Sequence, residues 1–208
     1  MPKNMKVVSQ QGKDNDIHYQ KTWYNTGKEE MPLAEIVLGG GCFWCTEAVF
    51  QRLDGVTNVE PGYSGGSVAE PTYEQVCSGS TGHAEVVRVT YEPHIVTLAE
   101  LLDVFFVSHD PTTLNRQGAD VGTQYRSVIL YADEEQKTAA AEAVQRVEDA
   151  KLWDGRIVTE IAPLEKFYPA EGYHHNYYDQ NQRQPYCQMV ITPKLRKLQE
   201  KFPSKLKT

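Results

Sequence analysis

Apolar residues recur along this chain with two periods, which together predict alternating strands and helices. Residues 84–91, 126–131 and 156–161 are rich in apolar and β-branched residues and are predicted to be strands. A helix is predicted to begin at the capping box of residues 97–100, and a longer helix extends from Asp133 through Ala150. Strands separated by helices indicate an α/β or α+β protein with helices packed on one sheet.

The most informative stretch combines an apolar run, three glycines and a cysteine. Residues 36–38 predict a short strand, and the apolar residues after Cys42 recur at helical spacing towards Gly55, which is the predicted helix end. A cysteine in the first turn of a helix faces unpaired backbone N–H groups and the positive end of the helix dipole. Because an ordinary thiol with a pKa of about 8.5 is mostly protonated at neutral pH, this position predicts an activated thiolate.

Three interpretations of Cys42 are open at this point. It is a small buried residue, or it forms a Cys-x-x-Cys metal site or redox pair with Cys45, or it is a catalytic nucleophile beside Phe43 and Trp44. The glycines favour the nucleophile, since they let a substrate approach the backbone closely. Zinc ligation together with residues 174–175 is disfavoured, because adjacent histidines seldom reach one ion.

Several polar residues elsewhere in the chain are candidates to assist Cys42. Glu85 enters a predicted strand, and it either points towards the helix start or is an exposed carboxylate. Asp120 and Tyr125 lie in a polar loop before the next strand, whereas Tyr73 is equally compatible with a core or surface position. Residues 168–186 are rich in Tyr, Asn, Gln and His, which is typical of a long loop near a site.

Composition limits the classes of function. The 208 residues carry a net charge of −7, which argues against a nucleic-acid partner, and no apolar run is long enough for a membrane span. The N-terminal residues also lack the apolar core of a signal peptide, and we therefore expect a cytoplasmic location. Four cysteines are too few for a disulfide scaffold of this length. Residues 1–33 are predicted to be partly disordered or wrapped on the surface, and residues 194–208 to be a basic tail or short helix. Cys77 is predicted to be buried.

Several motifs then occur in a recognisable order and spacing. They are Gly41-Cys42-Phe43-Trp44, Gly62-Tyr63-Ser64-Gly65-Gly66, Thr81-Gly82-His83-Ala84-Glu85, residues 115–118 and 124–127, and Glu171-Gly172-Tyr173-His174. Together they resemble the peptide methionine sulfoxide reductase A family over residues 34–193, the expected catalytic domain. We expect an α+β fold: a two-layer α/β sandwich in which helices pack on a mixed sheet, with a ferredoxin-like core and a long irregular C-terminal segment.

The resemblance implies reduction of the S-epimer of methionine sulfoxide, free or within a protein, to methionine. The implied site comprises the nucleophile Cys42, the acid Glu85, the hydroxyl donors Tyr73 and Tyr125, Asp120 holding a water or a donor, and Phe43 and Trp44 gripping the substrate methyl group. Attack by the nucleophile leaves a cysteine sulfenic acid, which a second thiol converts to a disulfide. Thioredoxin then returns the disulfide to thiols. The resemblance implies neither a metal nor an organic cofactor.

The thiol that resolves the sulfenic acid is open between two cysteines. The resemblance nominates Cys187, on a C-terminal segment that we expect to move easily. Cys45 lies where many family members have glycine, and it is the alternative resolving thiol because residues three apart at a helix start can form a disulfide. A thioredoxin-like disulfide oxidoreductase that uses Cys42 and Cys45 is the alternative function. The expected partners are thioredoxin, as the reductant, and oxidised proteins or free methionine sulfoxide, as the substrate. We expect neither a nucleic acid nor a membrane as a partner. The protein is expected to be a monomer in the cytoplasm.

Overall fold

The computed structural model describes residues 32–207. The predicted N-terminal extension, residues 1–33, lies outside the described residues except for its last two positions. Within the described part, no helix has the length and apolarity that a membrane span requires.

A mixed six-stranded sheet forms the centre of the fold. The strands are β1 (Ala34–Gly40), β2 (Val56–Ser64), β3 (Ala84–Tyr91), β4 (Arg116–Gln117), β5 (Asp120–Val121), β6 (Ser127–Tyr131), β7 (Glu160–Pro163) and β8 (Phe167–Pro169). Across the sheet the order is β7, β6, β1, β3, β2 and β8, while β4 and β5 form a separate two-stranded ribbon. In the sheet, neighbouring strands are antiparallel except β6 and β7, which are parallel.

The helices and turns complete the α+β architecture that the sequence predicts. They are α1 (Phe43–Phe50), α2 (Tyr73–Cys77), α3 (Leu98–Ser108), α4 (Glu134–Asp149), α5 (Tyr177–Asn181) and α6 (Thr192–Lys201), with a π-helical turn at Cys187–Ile191 and 3-10 turns at Thr123–Tyr125, Gly172–His174 and Pro203–Lys205. The capping box that begins α3 is confirmed, because the side chains of Thr97 and Glu100 accept each other's backbone N–H. At the start of α4, Asp133 accepts a hydrogen bond from the backbone N–H of Gln136 at 2.8 Å.

Side-chain alternation along β3 separates the two faces of the sheet. Val87 and Val89 pack into the core beneath the helices, whereas Ala84 and Val86 belong to a smaller cluster on the opposite face. Glu85 has the same parity as Val87, so its side chain projects towards the helices rather than into solvent, and only 1% of it is exposed. The strand therefore delivers a carboxyl group into the interior.

Three local predictions differ from the structure. Helix α1 ends at Phe50 instead of continuing towards Gly55, which has a φ of +81° in the turn before β2. The predicted strand at residues 156–161 begins only at Glu160. Cys77 is exposed at the end of α2, so the prediction that it is buried is wrong.

The C-terminal segment is docked on the domain. Leu198 of α6 is 3% exposed, as expected for a helix with one apolar face. Beyond it, Leu206 forms an isolated bridge with Leu53, and the backbone N–H of Asp54 donates to the Lys205 carbonyl at 2.8 Å. Cys187 is fully buried at the start of the π-helical turn rather than on a loosely held segment.

Candidate active site

The candidate nucleophile lies at the junction of β1 and α1. Cys42 is the N-cap of α1, and its carbonyl accepts hydrogen bonds from the N–H groups of Cys45 at 3.0 Å and Thr46 at 3.4 Å. Gly41 has a φ of +94°, and a Cβ built there would lie 2.6 Å from the side chain of Gln117. Glycine before the cysteine is therefore required both by the turn and by the ribbon β4–β5 packed against it.

Glu85 reaches the same helix terminus from β3. Its Oε2 accepts a hydrogen bond from the backbone N–H of Phe43 at 3.0 Å. Burial raises the pKa of Glu85 to about 8, although the hydrogen bond from Phe43 opposes this shift. The carboxyl group is therefore mostly protonated at neutral pH, and it can supply a proton.

The two predicted hydroxyl donors approach from separate elements. Tyr73 begins α2, and Tyr125 ends a 3-10 turn next to β6. Burial is the main cause that raises the pKa of each phenol. Both hydroxyls therefore stay protonated and remain hydrogen-bond donors at physiological pH.

The two aromatic residues after Cys42 have different environments. Phe43 is 1% exposed and packs against Tyr63, with ring centroids 5.8 Å apart. Trp44 is partly exposed and stacks on Tyr177 at a centroid distance of 3.6 Å, with an angle of 5° between the rings. Its indole N–H donates to Nδ1 of His174 at 3.0 Å. Trp44 is thus the ring of this pair with an accessible surface, held in one orientation from two sides.

Three thiols lie in one buried cluster. Cys42, Cys45 and Cys187 pack together with Ala48 and Ile191. A hydrogen-bonded chain leads out of this cluster, because Sγ of Cys45 lies 3.7 Å from the hydroxyl of Tyr186, which donates to Oδ2 of Asp120 at 2.7 Å. Asp120 accordingly holds a donor, one of the two roles expected of it.

Burial and mutual contact shift the pKa values of Cys42 and Cys45 in opposite directions. Burial raises the pKa of Cys42 well above its ordinary value, followed by the effects of its neighbour Cys45. The hydrogen bond from Cys42 lowers the pKa of Cys45 to about 7. Burial thus opposes the activated thiolate that the sequence predicts at Cys42, and the lower pKa of the pair belongs to Cys45.

Several residues that support the site were not predicted to do so, although Tyr63, Glu171 and His174 lie in the motifs quoted above. They are Glu47, Tyr63, Glu171, His174, Tyr177 and Tyr186, most of them in or beside the polar stretch 168–186. Glu171 accepts from the hydroxyl of Tyr63 at 2.8 Å and from the backbone N–H of Tyr73 at 2.9 Å, and so it fixes the start of α2. The composition of this stretch indicated a functional loop, but not which distant residues it contacts.

No group of three or more residues with metal-ligating side chains comes together within residues 32–207. His174, one of the histidines considered for zinc, instead accepts the indole N–H of Trp44. Nδ1 of His174 is thus occupied by the indole of Trp44.

Comparison with known proteins gives one consistent result. The family model described as peptide methionine sulfoxide reductase matches residues 34–206. The chain is 57% identical over 170 residues to peptide methionine sulfoxide reductase MsrA of Saccharolobus solfataricus, which covers 82% of this chain and 95% of the relative.

Solved structures agree with the sequence relatives. Mxr1 from Saccharomyces cerevisiae in reduced form is 38% identical, with a TM-score of 0.70, and the match covers 74% of this chain and 89% of that chain. The same yeast protein in complex with Trx2 is 26% identical in its aligned part, with a TM-score of 0.51, over 74% of this chain and 91% of that chain.

Proposed function

The chain belongs to the peptide methionine sulfoxide reductase family, and from this premise we propose that it reduces the S-epimer of methionine sulfoxide, free or within proteins, to methionine. The observation that carries the proposal is the placement of Cys42 at the start of α1 beside a buried, protonated Glu85. Sulfoxide sulfur is electrophilic, but its oxygen leaves only when it is protonated. A thiol next to a neutral carboxylic acid meets both requirements.

The two proton transfers can be coupled through Glu85. The carboxyl group donates its proton to the sulfoxide oxygen, and the carboxylate that forms is the base that takes the proton of Cys42 as its sulfur attacks. Burial raises the pKa of both groups, so that neither is stable as an isolated charge in the resting site. Coupling the transfers avoids an unpaired buried charge at every stage, and general acid–base catalysis of this kind contributes roughly 10²–10⁴-fold to a rate.

Epimer selection follows from two contacts that the substrate must make at once. The hydroxyls of Tyr73 and Tyr125 donate to the sulfoxide oxygen as negative charge develops on it. Trp44, with Phe43 beneath it, holds the methyl group on sulfur. Exchanging the oxygen and methyl positions would lose both contacts, so the opposite epimer is rejected.

The first half-reaction leaves a sulfenic acid on Cys42, which a second thiol converts to a disulfide with release of water. We propose Cys187 as this second thiol, and Cys45, which lies in the same cluster, is the alternative. Thioredoxin then reduces the disulfide, as the complex of the yeast relative with Trx2 supports. A monomer in the cytoplasm stays a prediction, which mass measurement in solution and cell fractionation would check.

The alternative of a thioredoxin-like disulfide oxidoreductase would use Cys42 as an exposed, low-pKa attacking thiol. In this structure Cys42 is 8% exposed and burial raises its pKa, whereas the lowered pKa belongs to the inner Cys45. Both features disfavour attack on a bulky protein disulfide. The sulfoxide reductase is therefore the function that the site supports better.

The decisive experiment supplies the two separated sulfoxide epimers of an N-acetylated methionine amide, with dithiothreitol as the reductant. We expect methionine from the S-epimer alone, no methionine with Cys42→Ser, and unchanged turnover with Cys77→Ser, which removes a cysteine outside the thiol cluster. Equal reduction of both epimers, or turnover by Cys42→Ser near that of the unaltered enzyme, would refute the proposal.

A further inference from the structure

The connection between β2 and β3, residues 65–83, carries Tyr73 on α2, and it is called the Tyr73 segment below. Its last residue, His83, is 1% exposed and belongs to a motif in which the proposed mechanism uses only Glu85. Resting on the proposed function, we propose that His83 is a positioning residue. It closes the neck of the Tyr73 segment and thereby sets where the hydroxyl of Tyr73 lies relative to Glu85.

His83 closes this neck with both nitrogens of its ring. Its Nδ1 accepts a hydrogen bond from the backbone N–H of Gly66 at 3.0 Å, and its Nε2 lies 2.7 Å from the carbonyl oxygen of Val68. Because a backbone N–H only donates and a carbonyl only accepts, the ring carries its proton on Nε2. An imidazole in this tautomer satisfies both partners at once, one on each side of the ring.

Backbone contacts bring the two sides of the neck close together. The N–H of Ser67 donates to the carbonyl of Thr81 at 3.1 Å. A Cβ built on Gly66 would lie 2.3 Å from the backbone nitrogen of His83, so glycine is required for this approach. The neck directly continues the antiparallel ladder of β2 and β3. The Tyr73 segment therefore leaves the sheet and returns to it at one fixed point.

The rest of the Tyr73 segment has little core of its own. Among residues 65–80, only two side chains are buried. The two ends of α2 are held by polar contacts: the backbone N–H of Tyr73 donates to Glu171 at 2.9 Å, and the side-chain amide of Gln124 donates to the carbonyl of Cys77 at 3.5 Å. Because so few contacts hold the segment, loss of the neck would let α2 shift on the sheet.

His83 also lies on the strand entry that supplies the acid. It is two positions before Glu85, whose Oε2 is fixed at the start of α1 by the N–H of Phe43. Tyr73 and Glu85 must reach the same sulfoxide oxygen, the first donating a hydrogen bond and the second a proton. The neck ties the segment that carries Tyr73 to the backbone that carries Glu85. Opening the neck should therefore move Tyr73 while Glu85 stays in place.

This role predicts a loss that is confined to the oxygen side of the site. His83→Phe keeps a ring against Tyr168, whose centroid lies 5.5 Å away, but it removes both hydrogen bonds. The first turnover of the S-epimer of the N-acetylated methionine sulfoxide amide should slow by about tenfold or more, since a misplacement of about 1 Å can cost about 10²-fold. His94→Phe changes an exposed histidine beyond the other end of β3 and should leave the rate unchanged, as the matched control.

A double-mutant cycle would show whether His83 acts through Tyr73. In the Tyr73→Phe background the hydroxyl is already absent, so His83→Phe should slow the first turnover by less than about twofold further. In the Tyr125→Phe background it should slow the turnover by its full factor, because Tyr125 comes from the separate 3-10 turn before β6. A role in folding alone would give the same factor in both backgrounds.

Binding of the methyl group gives an independent readout. The N-acetylated methionine amide keeps the methyl group but lacks the oxygen, so it should inhibit His83→Phe and the unaltered enzyme with inhibition constants within about twofold of each other. His83→Asn keeps an acceptor for the N–H of Gly66 and should recover part of the first-turnover rate. If His83→Phe does not fold, the same cycle is measured with His83→Asn.

Three results would overturn the positioning role while leaving the reductase intact. They are a first turnover of the histidine variant within about twofold of the unaltered enzyme, an equal factor in the Tyr73→Phe and Tyr125→Phe backgrounds, and a rise of the inhibition constant in parallel with the loss of rate. Failure of the unaltered enzyme to form methionine from the S-epimer would instead refute the proposed function, and the role of His83 with it.

Discussion

Glu85 combines a carboxyl group with an environment that holds its proton. Because burial raises its pKa to about 8, the first-turnover rate should be constant below pH 7 and fall as the pH rises through 8. Cys42 does not ionise in this window, because its own pKa is raised further above neutral. Rapid-quench measurement of methionine formation between pH 6 and 9 would check this dependence.

Glu85→Gln keeps the size of the side chain but removes its proton. The first turnover should slow by about 10²–10⁴-fold, whereas Glu74→Gln, at an exposed position on α2, should leave it unchanged. A first-turnover rate for Glu85→Gln within twofold of the unaltered enzyme would remove the acid from the mechanism.

The same variant should be more stable than the unaltered protein. Folding raises the pKa of Glu85 from 4.5 to about 8, so the folded state holds a proton that the unfolded state releases. The buried carboxyl group therefore does not lower the free energy of unfolding below pH 4.5, and it lowers it progressively as the pH rises from 4.5 through 8. At pH 7 the raised pKa costs on the order of 3 kcal/mol of unfolding free energy. The Glu85→Gln substitution should regain part of this free energy, and chemical denaturation would measure the gain. The same measurement would show that the inactive variant is folded.

At the residue scale, the sequence identified chemistry better than it identified environment. Cys42 and Glu85 could be selected because a glycine turn, a helix start and a strand entry are local patterns. The protonated state of Cys42 could not, since it depends on burial and on Cys45. Cys77 was misplaced because the following strand begins only at Ala84, after a turn that leaves the thiol at the surface.

Between elements, Glu47 connects α1 to α5. This carboxylate is 1% exposed, and it accepts the backbone N–H of Asn176 at 2.8 Å and that of Tyr177 at 3.4 Å. Tyr177 in turn stacks on Trp44, so that Glu47 sets the position of the aromatic wall without touching the substrate.

Removing this connection should weaken substrate binding more than chemistry. Glu47→Ala leaves two N–H groups without their acceptor, which costs about 1–3 kcal/mol of unfolding free energy. The KM for the sulfoxide should rise several-fold while kcat changes less, because Cys42 and Glu85 are untouched. Glu47→Gln retains one acceptor oxygen and should restore most of the KM. A KM for Glu47→Ala equal to that of the unaltered enzyme would contradict this positioning role.

Element boundaries were predictable where the determinants are local. Strand β3 and the caps of α3 and α4 match their predictions, because alternation and capping act within a few residues. The end of α1 does not, since the turn after it pairs with the far end of the chain, where Leu206 meets Leu53. Partners separated by more than 150 positions leave no local pattern.

At the scale of the whole molecule, the C-terminal segment closes the fold over the thiol cluster. Residues 186–207 pass from Tyr186 beside Cys45, through the buried Cys187, to backbone contacts with the turn after α1. Residues 205–207 thus contact the turn that follows the C-terminus of α1. This arrangement makes access to Cys187 a property of the tail as a whole.

Deletion of residues 203–208 tests this closure. It removes Leu206 and the two backbone hydrogen bonds that Asp54 and Arg52 make with the tail, a loss of about 2 kcal/mol. The Tm should fall by several degrees, and alkylation of Cys187 in the reduced enzyme should accelerate more than alkylation of Cys42. Lys205→Ala, which removes only a partly exposed ion pair with Glu100, should cost less than 1 kcal/mol and serves as the matched control. Alkylation of Cys187 at one rate in the truncated and full-length chains would show that the tail does not hold the cluster closed.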